Sequence, residues 1–324
     1  MNKFTELDTK SKQDNSRKLA SINSKISRYI NKTPVLTSTA INKLSGTLLY
    51  FKCENFQKTG SFKIRGAINA VLALSRGELK RGVVTHSSGN FAQALAYAAK
   101  CRGIKAQIVM PQNVIPSKRD AVIGYGAKII YSGNKPGDRE EKCREVIKRT
   151  GAAFIHPSND INVIRGHSSC AIEFINEINK LDFVFAPVGG GGLLSGIALG
   201  FNCFSPVTKI IAGEPSNADD AYRSIKSGKI IIQKNPDTIA DGLRTSLGDI
   251  TFPIIQKYVH DIIRVSEKEI IDSMRLVWER MKIIVEPSGA VSLAAALKIS
   301  RKLKNKKTGI ILSGGNADLN NLPF

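Results

Sequence analysis

The residue whose surroundings most suggest chemistry is Lys63, within Glu-Asn-Phe-Gln-Lys-Thr-Gly-Ser-Phe-Lys-Ile-Arg-Gly-Ala at positions 54–67. A strand-like apolar run, Leu48-Leu49-Tyr50-Phe51, leads in, and Gly60 and Ser61 supply a turn and a helix N-cap. Ile64, Ala67, Ile68, Val71, Leu72 and Leu74 follow at mostly helical spacing. That places Lys63 in the first helical turn, beside Phe62. The positive end of the helix dipole and an apolar neighbour both disfavour an ammonium ion. A lysine so placed gives up its proton readily, and a neutral amine can condense with a carbonyl compound. The competing reading is an ordinary surface lysine, which most lysines of this chain must be.

Four other stretches carry functional groups on turns. Gly189, Gly190, Gly191 and Gly192 lie between a buried-type strand, 182–188, and a helix beginning near Leu193. Bare backbone N–H groups there can converge on an anion, with a helix N-terminus behind them, so a phosphate is the natural guest. No Gly-Lys-Ser/Thr follows, which excludes a Walker A loop. A dinucleotide fingerprint competes: Gly190 and Gly192 could open one, with Glu214 as the ribose-binding acid, although Ser195 stands where its third glycine belongs. His86-Ser87-Ser88-Gly89-Asn90 is a second strand-to-helix turn, suited to a carboxylate or to a plain N-cap. Glu214-Pro-Ser-Asn-Ala218-Asp219-Asp220 gathers oxygens that suit a hard cation, or simply an acidic helix start. Ser313-Gly314-Gly315-Asn316 follows a strand at 308–312 and lets a ligand approach the backbone closely. His86, His156, His167 and His260 form no pair at metal-ligand spacing and read as structural.

These turns need a scaffold, and the chain supplies alternating strands and helices. Strands are expected at 82–85, 106–110, 127–131 and 153–156, with helices at 92–100, 117–124 and 139–149 between them. Helices at 19–31, 160–179, 217–227, 267–282 and 287–304, and strands at 182–188, 209–213 and 308–312, complete the pattern. Such alternation predicts parallel sheets joined by right-handed crossovers, an α/β class. Residues 82–157 make a compact unit, the small domain; 1–81 and 158–324 make the large one.

Composition narrows the classes further. With 324 residues, 42% of them hydrophobic, the chain can bury a sizeable core. The net charge of +21 is spread along the whole sequence, with no helix-turn-helix, zinc-finger or aromatic-plus-basic pattern for reading bases. A solvated lysine-rich surface accounts for it, and no nucleic-acid partner is expected. The five cysteines are scattered without a CxxC, as expected of free thiols in a reducing compartment. No apolar run reaches the roughly 18 residues of a membrane span, and residues 1–18 are polar, unlike a secretory signal. A soluble cytoplasmic protein is expected.

Taken together, Ser-Phe-Lys63-Ile-Arg-Gly-Ala, Ser-Ser-Gly-Asn90, Pro-Val-Gly-Gly-Gly-Gly192 and Ser313-Gly-Gly-Asn resemble the pyridoxal-phosphate enzymes of the tryptophan-synthase-β fold, fold type II. Glu-Pro-Ser-Asn-Ala-Asp-Asp220, Thr238-Ile-Ala-Asp-Gly242, Val277-Trp-Glu-Arg-Met-Lys282 and Glu286-Pro-Ser-Gly-Ala290 are similar to the serine racemase and serine/threonine dehydratase branch. The match runs in register over about 20–318. The resemblance implies that Lys63 holds pyridoxal 5'-phosphate and, once freed, moves the Cα proton. Phe62 would line the cofactor pocket, Asn90 would bond its ring oxygen, and Gly189, Gly190, Gly191 and Gly192 would hold its phosphate. Ser313 would bond the pyridine nitrogen; being a hydroxyl, it would not hold that nitrogen firmly protonated. Ser87, Ser88 and Asn90 would meet the substrate, Ser88 returning a proton to the face opposite Lys63. Glu214, the Ala218 carbonyl and Asp220 would form a Mg²⁺-type site, open also to Ca²⁺ or Mn²⁺. A homodimer is implied as well.

The implied reaction is dehydration of L-threonine or L-serine to a 2-oxo acid and ammonia. Interconversion of L- and D-serine, with side dehydratase activity, is the alternative. Two departures from the branch bear on it. Phe91 stands where the branch has His, and Arg165-Gly166-His167-Ser168-Ser169 replaces its Ala-Gly-Gln-Gly-Thr. A nicotinamide dehydrogenase, a nucleic-acid-binding protein and a member that binds cofactor without turnover are the rival readings.

Overall fold

The computed structural model describes residues 11–324, apart from Ile115 and Pro136. The chain begins with α1 (Lys12–Ile26), where the Ser11 hydroxyl accepts from the Asp14 N–H as a cap. There follow β1 (Val35–Leu36), α2 (Thr39–Ser45), β2 (Leu48–Cys53), α3 (Lys63–Leu72) and α4 (Arg76–Arg81). A middle group comprises β3 (Val83–His86), α5 (Asn90–Cys101), β4 (Ala106–Pro111), α6 (Pro116–Gly124), β5 (Lys128–Ser132), α7 (Asp138–Thr150) and β6 (Ala153–Phe154). The chain ends with α8 (Ile161–Glu177), β7 (Phe183–Pro187), α9 (Gly192–Phe204), β8 (Lys209–Pro215), α10 (Asp220–Ser227), α11 (Thr251–Tyr258), β9 (Asp261–Val265), α12 (Glu267–Met281), α13 (Pro287–Lys298) and β10 (Lys307–Leu312).

The strands form two sheets. The larger has the order β1-β2-β10-β7-β8-β9 and is parallel except for the β1–β2 pair; the smaller is all parallel, in the order β5-β4-β3-β6. Residues 182–188 read as a continuous apolar run because β7 lies inside the large sheet and is covered on both faces. One face packs Val184 and Ala186 against Leu194, Ile197 and Phe174. The other packs Phe51, Phe185 and Ile310 against Leu293, Ala294 and Met274. A third core joins the units: Ile64, Ala67, Ile68 and Val71 of α3 meet Val83, Phe91, Leu95 and Ile108 of the small-sheet layer. Ile64, Ile68 and Val71 have no solvent exposure, and burying each such side chain stabilises by about 1.5–3 kcal/mol. The helix that starts at Lys63 is therefore anchored between α5 and α8.

Several elements differ from the pattern expected of the sequence. Ser61 does not cap α3. Phe62 is its N-cap residue, without a side-chain cap, while Ser61 is extended and forms an antiparallel bridge to Gly314. The first helix begins at Lys12 rather than 19 and gives way to a 3-10 turn at Ser27–Tyr29. The stretch 217–227 is a 3-10 turn, Ser216–Ala218, followed by α10, and α13 stops at Lys298 before the 3-10 turn Ser300–Leu303. Elements α2, α4, α11 and β9 were not anticipated: the helices are one or two turns long, too short for a periodic signal, and β9 is an edge strand. No described helix is long and apolar enough to cross a membrane.

Candidate active site

Lys63 is fixed from below by charge. Two residues on, the Arg65 guanidinium is fully buried and donates to Glu54 (2.6 and 2.8 Å) and to Glu173 (2.8 and 2.7 Å). Lys52 completes the lattice with Glu173 at 2.9 Å, and the Ser169 hydroxyl accepts from Arg65 at 3.1 Å. Fork-to-carboxylate pairs of this kind fix orientation as well as charge. They tie α3 to β2 and to α8. From above, the Phe62 N–H donates to the Ser313 carbonyl at 3.1 Å, joining the start of α3 to the end of β10. Gly60 has φ +72°, and a Cβ there would lie 2.2 Å from Asn316 Oδ1, so the approach to Lys63 accepts only glycine.

Lys63 is half-buried. It donates to the Pro157 carbonyl at 3.2 Å, with Nζ 4.9 Å from the Phe62 ring centroid and 5.9 Å from that of Phe91. Burial brings its pKa down to about 8, against a smaller opposing pull from Glu286. His167 lies edge-on to Phe62, with ring centroids 4.7 Å apart, and is fully buried with both ring nitrogens unpartnered. Burial, then the Lys63 and Arg65 charges, hold it well below the usual imidazole range, so it is neutral.

Asn90 opens α5 and is held from two sides. Its Nδ2 donates to Glu286 Oε1 at 2.8 Å, and Asn316 Nδ2 donates to its Oδ1 at 2.8 Å. One Asn90 N–H remains for a ligand. Glu286 is almost fully buried, which pushes its carboxyl up to about 7. Ser313 is buried at the end of β10 in the same group. Ser87 and Ser88 are half-buried at the turn into α5; the Ser87 hydroxyl accepts from the Gly89 N–H at 3.4 Å.

The glycine turn packs against Ser158, the residue after Pro157. A Cβ at Gly190 would come 2.4 Å from Ser158 Oγ, at Gly192 2.9 Å from Ser158 Cα, and at Gly189 2.8 Å from Leu243 Cα. Gly191 adopts φ +79° and directly precedes α9. The bare backbone thus forms a cradle at a helix N-terminus, the form an anion-binding turn takes. Gly190 N–H donates to Thr245 Oγ1 at 3.0 Å. His156 fixes the facing segment: its Nδ1 accepts from the N–H groups of Ser158 (3.1 Å) and Asn159 (2.8 Å), and burial lowers its pKa to about 4.

A second polar group sits at the end of β8. Both Glu214 oxygens accept N–H bonds, from Ala221 (2.8 Å) and Tyr222 (2.9 Å), so this carboxylate faces the first turn of α10. That geometry removes Glu214 as a ribose partner for the glycine turn. Asp220 is buried with neither oxygen partnered, and buried Ala218 lies in the intervening turn. Burial raises Glu214 to about 8 and Asp220 to about 7. Orphaned carboxylate oxygens beside a second carboxylate are what a hard cation would satisfy. No cluster of three or more His, Cys, Asp or Glu side chains able to hold a metal occurs among the described residues.

The structure therefore gathers Phe62, Lys63, Asn90, the 189–192 turn and Ser313 around one locus, with Glu214, Ala218 and Asp220 grouped apart. It adds Ser158, Thr245, Glu286, Asn316 and His156. Glu286 and Asn316 stand in motifs the sequence displays; Ser158 and Thr245 carry no local signal, because their partners are distant in the chain.

Known proteins resemble this chain over most of its length. A family model described as pyridoxal-phosphate dependent enzyme matches residues 26–314. A serine racemase of Dictyostelium discoideum is 49% identical, over 92% of this chain and 93% of its own. A beta-hydroxyaspartate dehydratase of Paracoccus denitrificans is 45% identical, over 93% and 95%. The solved maize serine racemase superposes with a TM-score of 0.91 at 44% identity, covering 95% of this chain and 94% of that one. With a family model over residues 26–314 and relatives of this kind over nine-tenths of its length, the chain belongs to the pyridoxal-phosphate-dependent enzymes of fold type II, in the serine racemase and serine/threonine dehydratase branch.

Proposed function

We propose that this enzyme interconverts L- and D-serine and dehydrates serine as a side reaction. The observation that carries the reading is the Lys63 amine, brought down to a pKa of about 8, in a chain that also presents a half-buried Ser88 hydroxyl on the turn that opens α5. Relatives named serine racemase support it over the dehydration of threonine. The residues fit pyridoxal phosphate: the cradle at 189–192 suits its phosphate, Lys63 its aldehyde, Asn90 its ring oxygen and Ser313 its ring nitrogen. Bound there, the cofactor supplies an electron sink for charge developing at the substrate Cα.

The remaining work falls to this chain. N–H groups at the start of α5, with Ser87, Ser88 and Asn90, hold the substrate carboxylate. Lys63 takes the Cα proton on one face, and a neutral amine serves because its pKa lies near operating pH. Ser88 delivers a proton to the other face, inverting the centre. If a proton reaches the β-hydroxyl first, water leaves and a 2-oxo acid and ammonia follow. Residues 82–157 act as the small domain and close over the substrate, excluding water. Mg²⁺, Ca²⁺ or Mn²⁺ at Glu214, Asp220 and the Ala218 carbonyl has a structural role in this reading, which also carries a homodimer and a cytoplasmic location.

The test is incubation of purified enzyme with L-serine, scoring D-serine by chiral chromatography and pyruvate by a coupled assay. D-serine accumulation that Lys63→Ala abolishes supports the proposal. Ser88→Ala losing D-serine while keeping pyruvate separates the two faces. The 45% identity to a beta-hydroxyaspartate dehydratase favours a second reading, elimination from a β-hydroxy amino acid as the main reaction. Pyruvate from serine, or the 2-oxo acid from L-threonine, without any D-serine would select it.

A further inference from the structure

Cations withdrawn even partly from water ordinarily sit beside an opposite charge. Lys63 does not: among the described residues no carboxylate pairs with its amine, whose acceptor is the neutral Pro157 carbonyl. Two ring faces flank it instead. Phe62 is the preceding residue, with its centroid at 4.9 Å. Phe91 comes from the first turn of α5, with its centroid at 5.9 Å, and is 2% exposed in the core shared with α3. We infer that Phe91 is the second wall of an aromatic bracket that holds the Lys63 amine dry and without an acid partner. It is thereby a positioning residue for the chemistry proposed above, and the inference rests on Lys63 being the cofactor lysine.

A ring face attracts an ammonium through its quadrupole, but it offers no lone pair to lock the proton on. When the amine is neutral, no buried anion is left uncompensated. An imidazole at 91, as the branch has, could accept a hydrogen bond from the ammonium and favour the charged form. The other groups around the amine do not replace that acceptor. His156, from the turn before α8, and His167, from α8, are neutral. Arg65 on α3 is spent on Glu54 and Glu173. Glu286, at the start of α13, is the acid that acts on Lys63, and burial holds it at about 7, with Asp241 raising it further and Lys118 lowering it.

The experiment strips cofactor from purified full-length enzyme, adds pyridoxal phosphate, and follows condensation by absorbance from pH 6 to 10. Wild type, Phe91→His and Phe91→Leu are compared. Phe91→His is expected to move the midpoint of the rate profile upward and slow condensation at least threefold at pH 7.5. Phe91→Leu, equally dry but without a quadrupole, should keep the wild-type midpoint or lower it. Should Phe91→His fail to fold, Phe91→Gln supplies an acceptor of similar reach and carries the same expectation. An unchanged profile in the polar variant, or a Leu variant shifted upward like it, overturns the inference. Borohydride trapping of the wild type, read by mass at Lys63, keeps the two layers apart: no adduct at any pH would remove the cofactor assignment itself.

Discussion

Glu214 and Asp220 make divalent-cation dependence of stability a sharp prediction. Both carboxyls are buried, held at about 8 and about 7, and neither Asp220 oxygen has a partner. Their folded pKa values lie above those of the unfolded chain. Without metal their contribution to stability is therefore fully present below about pH 4 and is lost as pH rises through about 7 to 8. Each tenfold of suppressed ionisation corresponds to ~1.4 kcal/mol, so the pair costs a few kcal/mol once both are charged. A cation binds the ionised pair and offsets that cost, releasing protons as it does so. At 100 times its dissociation constant it stabilises by ~2.7 kcal/mol, which for a chain of this size is about 4 °C in Tm. The assay is thermal unfolding in chelator against millimolar MgCl₂, CaCl₂ or MnCl₂ at pH 6.0, 7.5 and 8.5. The increment should grow with pH and disappear in Asp220→Asn. Equal Tm values with and without cation at pH 8.5 would refute the reasoning, as would an Asp220→Asn variant that keeps the full increment.

Other outcomes follow from the same geometry. Gly192→Ala places a Cβ 2.9 Å from the backbone of Ser158, where nothing flexible can yield; cofactor retention on dialysis should fall at least tenfold while the far-UV spectrum is kept. Arg65→Met leaves Glu54 and Glu173 facing each other in the interior, and denaturant unfolding should show a loss of about 3–5 kcal/mol. Glu286→Gln keeps an acceptor for Asn90 but cannot ionise. Since burial holds Glu286 at about 7, above its unfolded value, its contribution is lost as pH rises through 7, and the Gln variant should show a flatter dependence of stability on pH between 6 and 8.

The sequence by itself determined what depends on short range. The lysine turn, the four glycines, the strand-helix alternation and the resemblance they carry are patterns of neighbours, governed by local sterics and by periodicity. From them the α/β fold and the grouping of Phe62, Lys63, Asn90, Gly189 to Gly192 and Ser313 were legible. Element ends were less so: Ser61 has the type of an N-cap, yet its backbone is taken by Gly314, some 250 residues away. Tertiary structure alone decided what surrounds the amine. Pro157 accepts from Lys63 across 94 residues, Asn316 and Glu286 orient Asn90 across 226 and 196, and Arg65 is neutralised by Glu173 across 108. The physical reason is that burial and the removal of counter-charges shift a proton equilibrium, and both arise only when distant segments close over one point.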